Sequence, residues 1–356
     1  MLKRHGDCTV PWITDSYGGV FVYNREEEIL EQYDLEVRST AKGRGALICD
    51  TDKGTFWLKP FCGSTQRADF LAEVLQYIEG QGFLCETVFP TKEGETLAKE
   101  EISGSSYILR TWHPGRECDV KNREEILTAV RRLAGYHNLI GCYQGAIPPP
   151  LQSDRMELLE EYRKHNRELN KVKNYIRRKR KKNDFERLFM EVYDSYRNQA
   201  EQITGLLDTW TQSIEPVVEQ KICGLCHGDY NQHNVVFSHG AAILINFDQM
   251  HQDVCIMDLA NFIRKILEKY NWNTGLGMDM VNVYDKIRPM LPEERSQLYL
   301  RLAYPKKYWK LANHYYNSNK AWVSGRNIEK LQKIAAQEVQ RKQFLKVLCH
   351  FCDSAV

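Results

Sequence analysis

The sequence predicts an α+β fold in two lobes, a small antiparallel β lobe over residues 1–112 and a larger, mainly helical lobe over 113–356. Three observations carry that reading. Short apolar runs punctuated by glycine turns occupy the first hundred residues. After the breaker His113-Pro114-Gly115 a helical period replaces them. The 356 residues, 42% apolar and 27% charged, suit about two folding units and neither a disordered nor a membrane chain.

In the β lobe, Leu35 to Thr40 reads as a strand and Lys42-Gly43-Arg44-Gly45 as a tight turn into Ala46 to Asp50. Thr51-Asp52-Lys53-Gly54 then turns into a third strand, Thr55 to Phe61. Over Thr65 to Glu79 the period changes: Phe70, Leu71, Val74, Leu75, Tyr77 and Ile78 form one apolar arc, the mark of a helix packed on the sheet. Strands at Cys85 to Phe89 and Ser106 to Trp112, separated by the polar hairpin Thr91 to Glu101, bring the lobe to five.

In the second lobe, Ile126, Ala129, Val130, Leu133, Ala134 and His137 recur at helical spacing within Glu124 to Asn138. Pro148-Pro149-Pro150 opens a basic helical insertion over 151–211, expected to be one or two helices. Between Arg163 and Arg187 cations exceed anions by nine, leaving the rest of the chain net acidic. The densest run, Arg177 to Lys182, reads first as a solvated helix face and second as a surface for nucleic acid or an acidic partner. Short strands return at Ile222 to Cys226, Val235 to Phe237 and Ala242 to Phe247. Helices follow from Asp258, with Pro292 and Pro305 marking two starts.

A net charge of +2 makes no global attractor for nucleic acid or an anionic membrane. No apolar run reaches the roughly 18 residues a membrane helix needs, and Met1 to Val22 lacks a signal peptide's apolar stretch, so an intracellular, membrane-free protein is expected. Eleven cysteines, scattered from Cys8 to Cys352, fit buried thiols better than a disulfide scaffold. The pairs Cys223/Cys226 and Cys349/Cys352 have the spacing of a four-thiolate zinc site, a minor alternative.

The strongest local signal is His227-Gly228-Asp229-Tyr230-Asn231-Gln232-His233-Asn234. Four such fixed positions arise by chance about once in a thousand sequences of this length. The spacing is that of a phosphotransfer loop: Asp229 takes or orients the acceptor's hydroxyl proton, and Asn234 gives an oxygen to a phosphate-bridging magnesium ion. With the Asn246-Phe-Asp248 strand that follows, the motif resembles the aminoglycoside phosphotransferase and choline kinase superfamily. Asp258-Leu-Ala-Asn-Phe262 and Trp309 to Trp322 make it most similar to CotS-type spore coat proteins within that superfamily.

The resemblance implies a bilobal protein-kinase-like fold, a nucleotide cleft using ATP or GTP with Mg, and a site residue set. Lys59 alternates with Leu58 on the third strand and becomes the phosphate-binding lysine. Glu73, at roughly 300° on the helical wheel, is its expected ion-pair partner. The turn with Lys42, Gly43 and Gly45 takes the place of the phosphate-covering loop. At the usual metal-binding aspartate, however, the chain carries Asn246, so Asn234, Asn246 and Asp248 form the expected metal set. Asp248 would lie about 6.6 Å along the same strand face if the strand stays extended, where it either substitutes as ligand or only caps a turn toward His251.

Other residues have structural readings. His137 is expected as a hydrogen-bonded core histidine, and Asp258 as the N-cap of a helix Leu259 to Lys269 or a brace on the loop. The aromatics Tyr304, Tyr308, Trp309, Tyr315, Tyr316 and Trp322 are expected as helix-packing core. The expected function is a coat protein with phosphotransfer impaired by Asn246. The alternative is an active ATP- or GTP-dependent phosphotransferase acting on a hydroxyl of a small molecule or coat polymer. Expected partners are other spore coat proteins, a nucleotide and a small hydroxyl substrate, not nucleic acid; synthesis in the mother-cell cytoplasm and residence in the spore coat follow from the resemblance.

Overall fold

The computed structural model describes residues 21–43, 45–317 and 325–353. Cys8, Arg44 and Trp322, and the leader reading up to residue 20, lie outside the described residues. The first elements are α1 (Phe21–Leu30), β1 (Val37–Gly43), β2 (Ala46–Thr51), β3 (Gly54–Pro60), α2 (Thr65–Gly80), β4 (Val88–Phe89), β5 (Ala98–Lys99) and β6 (Ser106–Thr111). Next come β7 (Arg116–Glu117), α3 (Arg123–Ile140), α4 (Glu157–Arg178), α5 (Asp184–Ser213), α6 (Pro216–Ile222), β8 (Cys223–Cys226), β9 (Val235–Ser238), β10 (Ala241–Leu244) and β11 (His251–Val254). Helices α7 (Ile256–Leu267), α8 (Thr274–Ile287), α9 (Pro292–Ala303), α10 (Lys306–Asn317), α11 (Gly325–Ala336) and α12 (Glu338–Asp353) finish the described chain. No helix among the described residues is long and apolar enough to cross a membrane.

The described residues fall into two compact units, one of those up to 116 with 236–246, the other of those from 117 to 235 with those from 247 onward. In the first, an antiparallel sheet runs β1-β2-β3-β6-β4, with β5 also pairing β6. Alternation on β3 sends Leu58 to a core with Ile29, Leu30, Tyr33 and Leu109, and Trp57 to a second core with Val236, Ile243 and Ile245. Three of the five expected strands match closely, but the first begins at Val37 rather than Leu35 and the fourth shrinks to Val88–Phe89. Cys85 instead makes one parallel bridge to Leu244, and a sixth strand, β5, forms inside the expected hairpin.

In the second unit the insertion forms two helices broken at Asn183, whose side chain accepts from Glu186 N while Glu186 accepts from Asn183 N. This capping box restarts the helix directly after the basic run. Leu169, Val172 and Ile176 of α4 pack with Phe185, Phe189 and Tyr193 of α5 and with Tyr308 of α10. Tyr308 stacks on Phe189 at 5.1 Å, Trp309 on His165 at 3.3 Å and Tyr315 on Phe185 at 4.6 Å. The expected aromatic core is present there, whereas Tyr316 is exposed. The two cysteine pairs lie on separate elements, β8 and α12, and among the described residues no group of three or more His, Cys, Asp or Glu is arranged to hold a metal.

Candidate active site

The loop from His227 to Asn234 belongs to the second unit and leaves a two-stranded ribbon, in which Cys226 of β8 pairs with His251 of β11. Gly228 has φ 83°, and a Cβ there would stand 1.9 Å from the carbonyl oxygen of Gln249. Only glycine fits both the left-handed backbone and that approach. Gly228→Ala is therefore expected to lose about 2–4 kcal/mol in a urea melt, from the φ penalty plus overpacking. A loss under about 0.5 kcal/mol would contradict this geometry.

Asp258, its side chain 0% exposed, accepts from His227 N at 2.6 Å (Oδ2) and from Gly228 N at 3.0 Å (Oδ1). His137 Nε2 lies 3.3 Å from the same carboxylate, and His137 Nδ1 lies 2.7 Å from the Tyr284 hydroxyl. Burial alone would raise Asp258's pKa, but the His137 hydrogen bond and charge and the His227 amide outweigh it and hold it below the ordinary value. Burial lowers the His137 pKa. The expected core histidine and loop brace are thus one network. Asp258 is not the N-cap, because α7 begins two residues earlier at Ile256.

The loop closes on itself around Asp229. Asn234 Nδ2 donates to the Asp229 backbone carbonyl at 2.8 Å and to its Oδ2 at 3.3 Å. Asn231 donates to the same carbonyl at 2.8 Å, and Tyr230 anchors the loop by donating its hydroxyl to Ala129 O at 2.6 Å. His233 contacts Glu117 through Nδ1 and Gln232 at 2.7 Å through Nε2. Lys265 of α7 donates to Asp229 Oδ1 at 3.0 Å. Sequence reasoning missed this ammonium. Its signal was present: Lys265 lies seven residues, two helical turns, after Asp258, on the face already turned to the loop.

In the first unit, Lys59 of β3 donates to Asn246 Oδ1 at 2.5 Å, its Nζ 5.4 Å from the Trp57 ring. Asn246 has φ 67°, β10 has already ended at Leu244, and Phe247–Gln249 form a 3₁₀ turn. The extended-strand reading of Asp248 is therefore wrong: the left-handed residue bends the chain, so Asp248 does not continue the Asn246 face at strand spacing. Glu73 is exposed on α2, as is Lys42 at the end of β1. Gly43 pairs with Ala46, and Gly45, φ 70°, makes the turn. Asn234, Asn246 and Asp248 all offer hard oxygens of the kind magnesium takes, yet only one is a carboxylate and Asn246 Oδ1 already accepts the Lys59 ammonium.

A family model described as "Spore coat putative kinase YutH" matches residues 26–348. The chain belongs to that family. Spore coat protein S of Bacillus subtilis (strain 168) is 21% identical over 336 residues, 90% of this chain and 93% of that protein. Among solved structures, an aminoglycoside phosphotransferase from Alicyclobacillus acidocaldarius matches with TM-score 0.81 and 18% identity, covering 96% of this YutH-family chain and 99% of that one. The amicoumacin kinase hAmiN, solved with AMP-PNP and Ca2+, matches with TM-score 0.55 and 14% identity over 92% of this chain and 94% of that one. The fold is accordingly the kinase-like α+β fold that the resemblance implied.

Proposed function

We propose that this YutH-family chain is a spore coat protein that binds a magnesium nucleotide and transfers phosphate slowly to a hydroxyl acceptor. The single observation carrying the slow-transfer reading is the Lys59–Asn246 contact. A neutral amide occupies the position where a carboxylate would attract a divalent cation, and its oxygen faces an ammonium instead. In the first unit Lys59 would serve the nucleotide phosphates, with the backbone of the Lys42, Gly43 and Gly45 turn covering them and Glu73 helping to place Lys59. In the second unit Asp229 would take the acceptor's proton, while Asn234 and Asp248 would hold the magnesium ion, which neutralises phosphate charge when bound. Residence with other coat proteins follows the family; a fully active transferase would require Asp248 to replace the missing carboxylate outright.

A melting experiment tests nucleotide binding. At a hundred times its dissociation constant, Mg-ATP or Mg-GTP adds about 2.7 kcal/mol to the folded state. The shift is expected in the wild type and is expected to shrink strongly in Lys59→Met. No shift with either nucleotide would remove the transferase reading and leave a coat scaffold.

A further inference from the structure

The contact between Asp229 and Lys265 bears on which acceptor the site takes, and the inference rests on the reading of Asp229 as the base. We infer that the acceptor is an anion, a hydroxyl compound bearing a carboxylate or phosphate, and that Lys265 selects it by charge. Both oxygens of Asp229 are engaged, Oδ1 by Lys265 at 3.0 Å and Oδ2 by Asn234 at 3.3 Å. An ionised carboxylate has about four acceptor sites, so an incoming hydroxyl can still donate to Oδ1. At ordinary hydrogen-bond length its oxygen would sit about 5 Å from Nζ.

That geometry fixes the sign of the local field. Left alone, the base's carboxylate would attract a cationic acceptor; paired with Lys265, it presents no net charge. Any charged group one or two bonds from the hydroxyl then lies close to the ammonium, which repels a cation and attracts an anion. Lys265 and Asp229 are partly open, at 34% and 42% side-chain exposure, so the contact leaves room for a ligand.

Three matched probes test this: glycerate, glycerol and 3-amino-1,2-propanediol, carrying negative, zero and positive charge on similar skeletons. Each is titrated calorimetrically into the full chain with Mg-AMP-PNP, and transfer from Mg-ATP is followed in parallel. Glycerate is expected to exceed the aminodiol by about ten-fold or more in affinity and in kcat/KM. K265Q should flatten the order and K265E should reverse it. An unchanged order in K265E, three indistinguishable responses in the wild type, or a uniform loss across all three probes in K265Q would each overturn the inference. The last result would assign Lys265 to the transferred phosphoryl group. Failure of Mg-AMP-PNP itself to raise the melting temperature would strike at the phosphotransfer reading, and this inference with it; an intact shift with no charge order strikes at this inference alone.

Discussion

Asp258→Ala is expected to destabilise the protein by about 3–5 kcal/mol, the largest stability effect among the site residues. The carboxylate is fully buried and accepts two backbone N–H groups, His227 N and Gly228 N, at the start of the loop. Removing it leaves both donors and His137 without their acceptor in a place water does not reach. Acid should produce the same loss reversibly. Burial first, then the nearby Arg288 and His227, lower the His137 pKa from its ordinary 6.5, although the Asp258 hydrogen bond opposes them. The Asp258 pKa is lowered from 3.8. Both groups therefore bind fewer protons folded than unfolded, and stability rises with pH wherever they titrate. As pH falls, stability should decline first below about 6.5 through His137 and again below about 3.8 through Asp258. Urea melts between pH 8 and 3 check this, and His137→Gln should shrink the upper decline, the remainder belonging to His165, whose pKa burial pushes down to about 4. A wild-type curve flat from pH 7 to 5 would contradict the network.

Asp229→Asn is expected to cut phosphate transfer by about 10²–10⁴-fold while leaving the fold nearly untouched. The carboxylate is half exposed, and its pair with Lys265 belongs to the class worth about 0–1 kcal/mol. Asn keeps the loop's shape, because Asn234 and Asn231 hold the Asp229 backbone carbonyl rather than the side chain alone. The pairing of outcomes matters more than either one. Nucleoside diphosphate release with a panel of hydroxyl acceptors should collapse, and the urea midpoint should stay within error. Transfer at the wild-type rate would remove Asp229 from the chemistry.

Much of this site was legible because its signals are local. The His-Gly-Asp triplet and Asn234 act within one eight-residue loop, and the apolar arcs of α2 and α3 declare their buried faces by period alone. What escaped depended on other segments or on a single dihedral. Helix α1 carries three consecutive glutamates that mask Ile29 and Leu30, whose burial comes from the sheet they cover. Asp248 was placed by assuming an extended strand, whereas Asn246 takes the left-handed conformation that asparagine tolerates better than most residues. Lys265 was within reach of the expected helix Leu259 to Lys269, two turns on from Asp258, but its meeting with Asp229 joins two segments that lie 36 residues apart.

The central claim is that the amide at 246 weakens the hold on the divalent cation. Magnesium dependence of nucleotide affinity, measured by calorimetry in the wild type and in Asn246→Asp, tests it most directly. Restoring the carboxylate is predicted to raise magnesium affinity by about ten-fold or more, since it returns a negative charge to the cation. The same magnesium affinity in both proteins would contradict it.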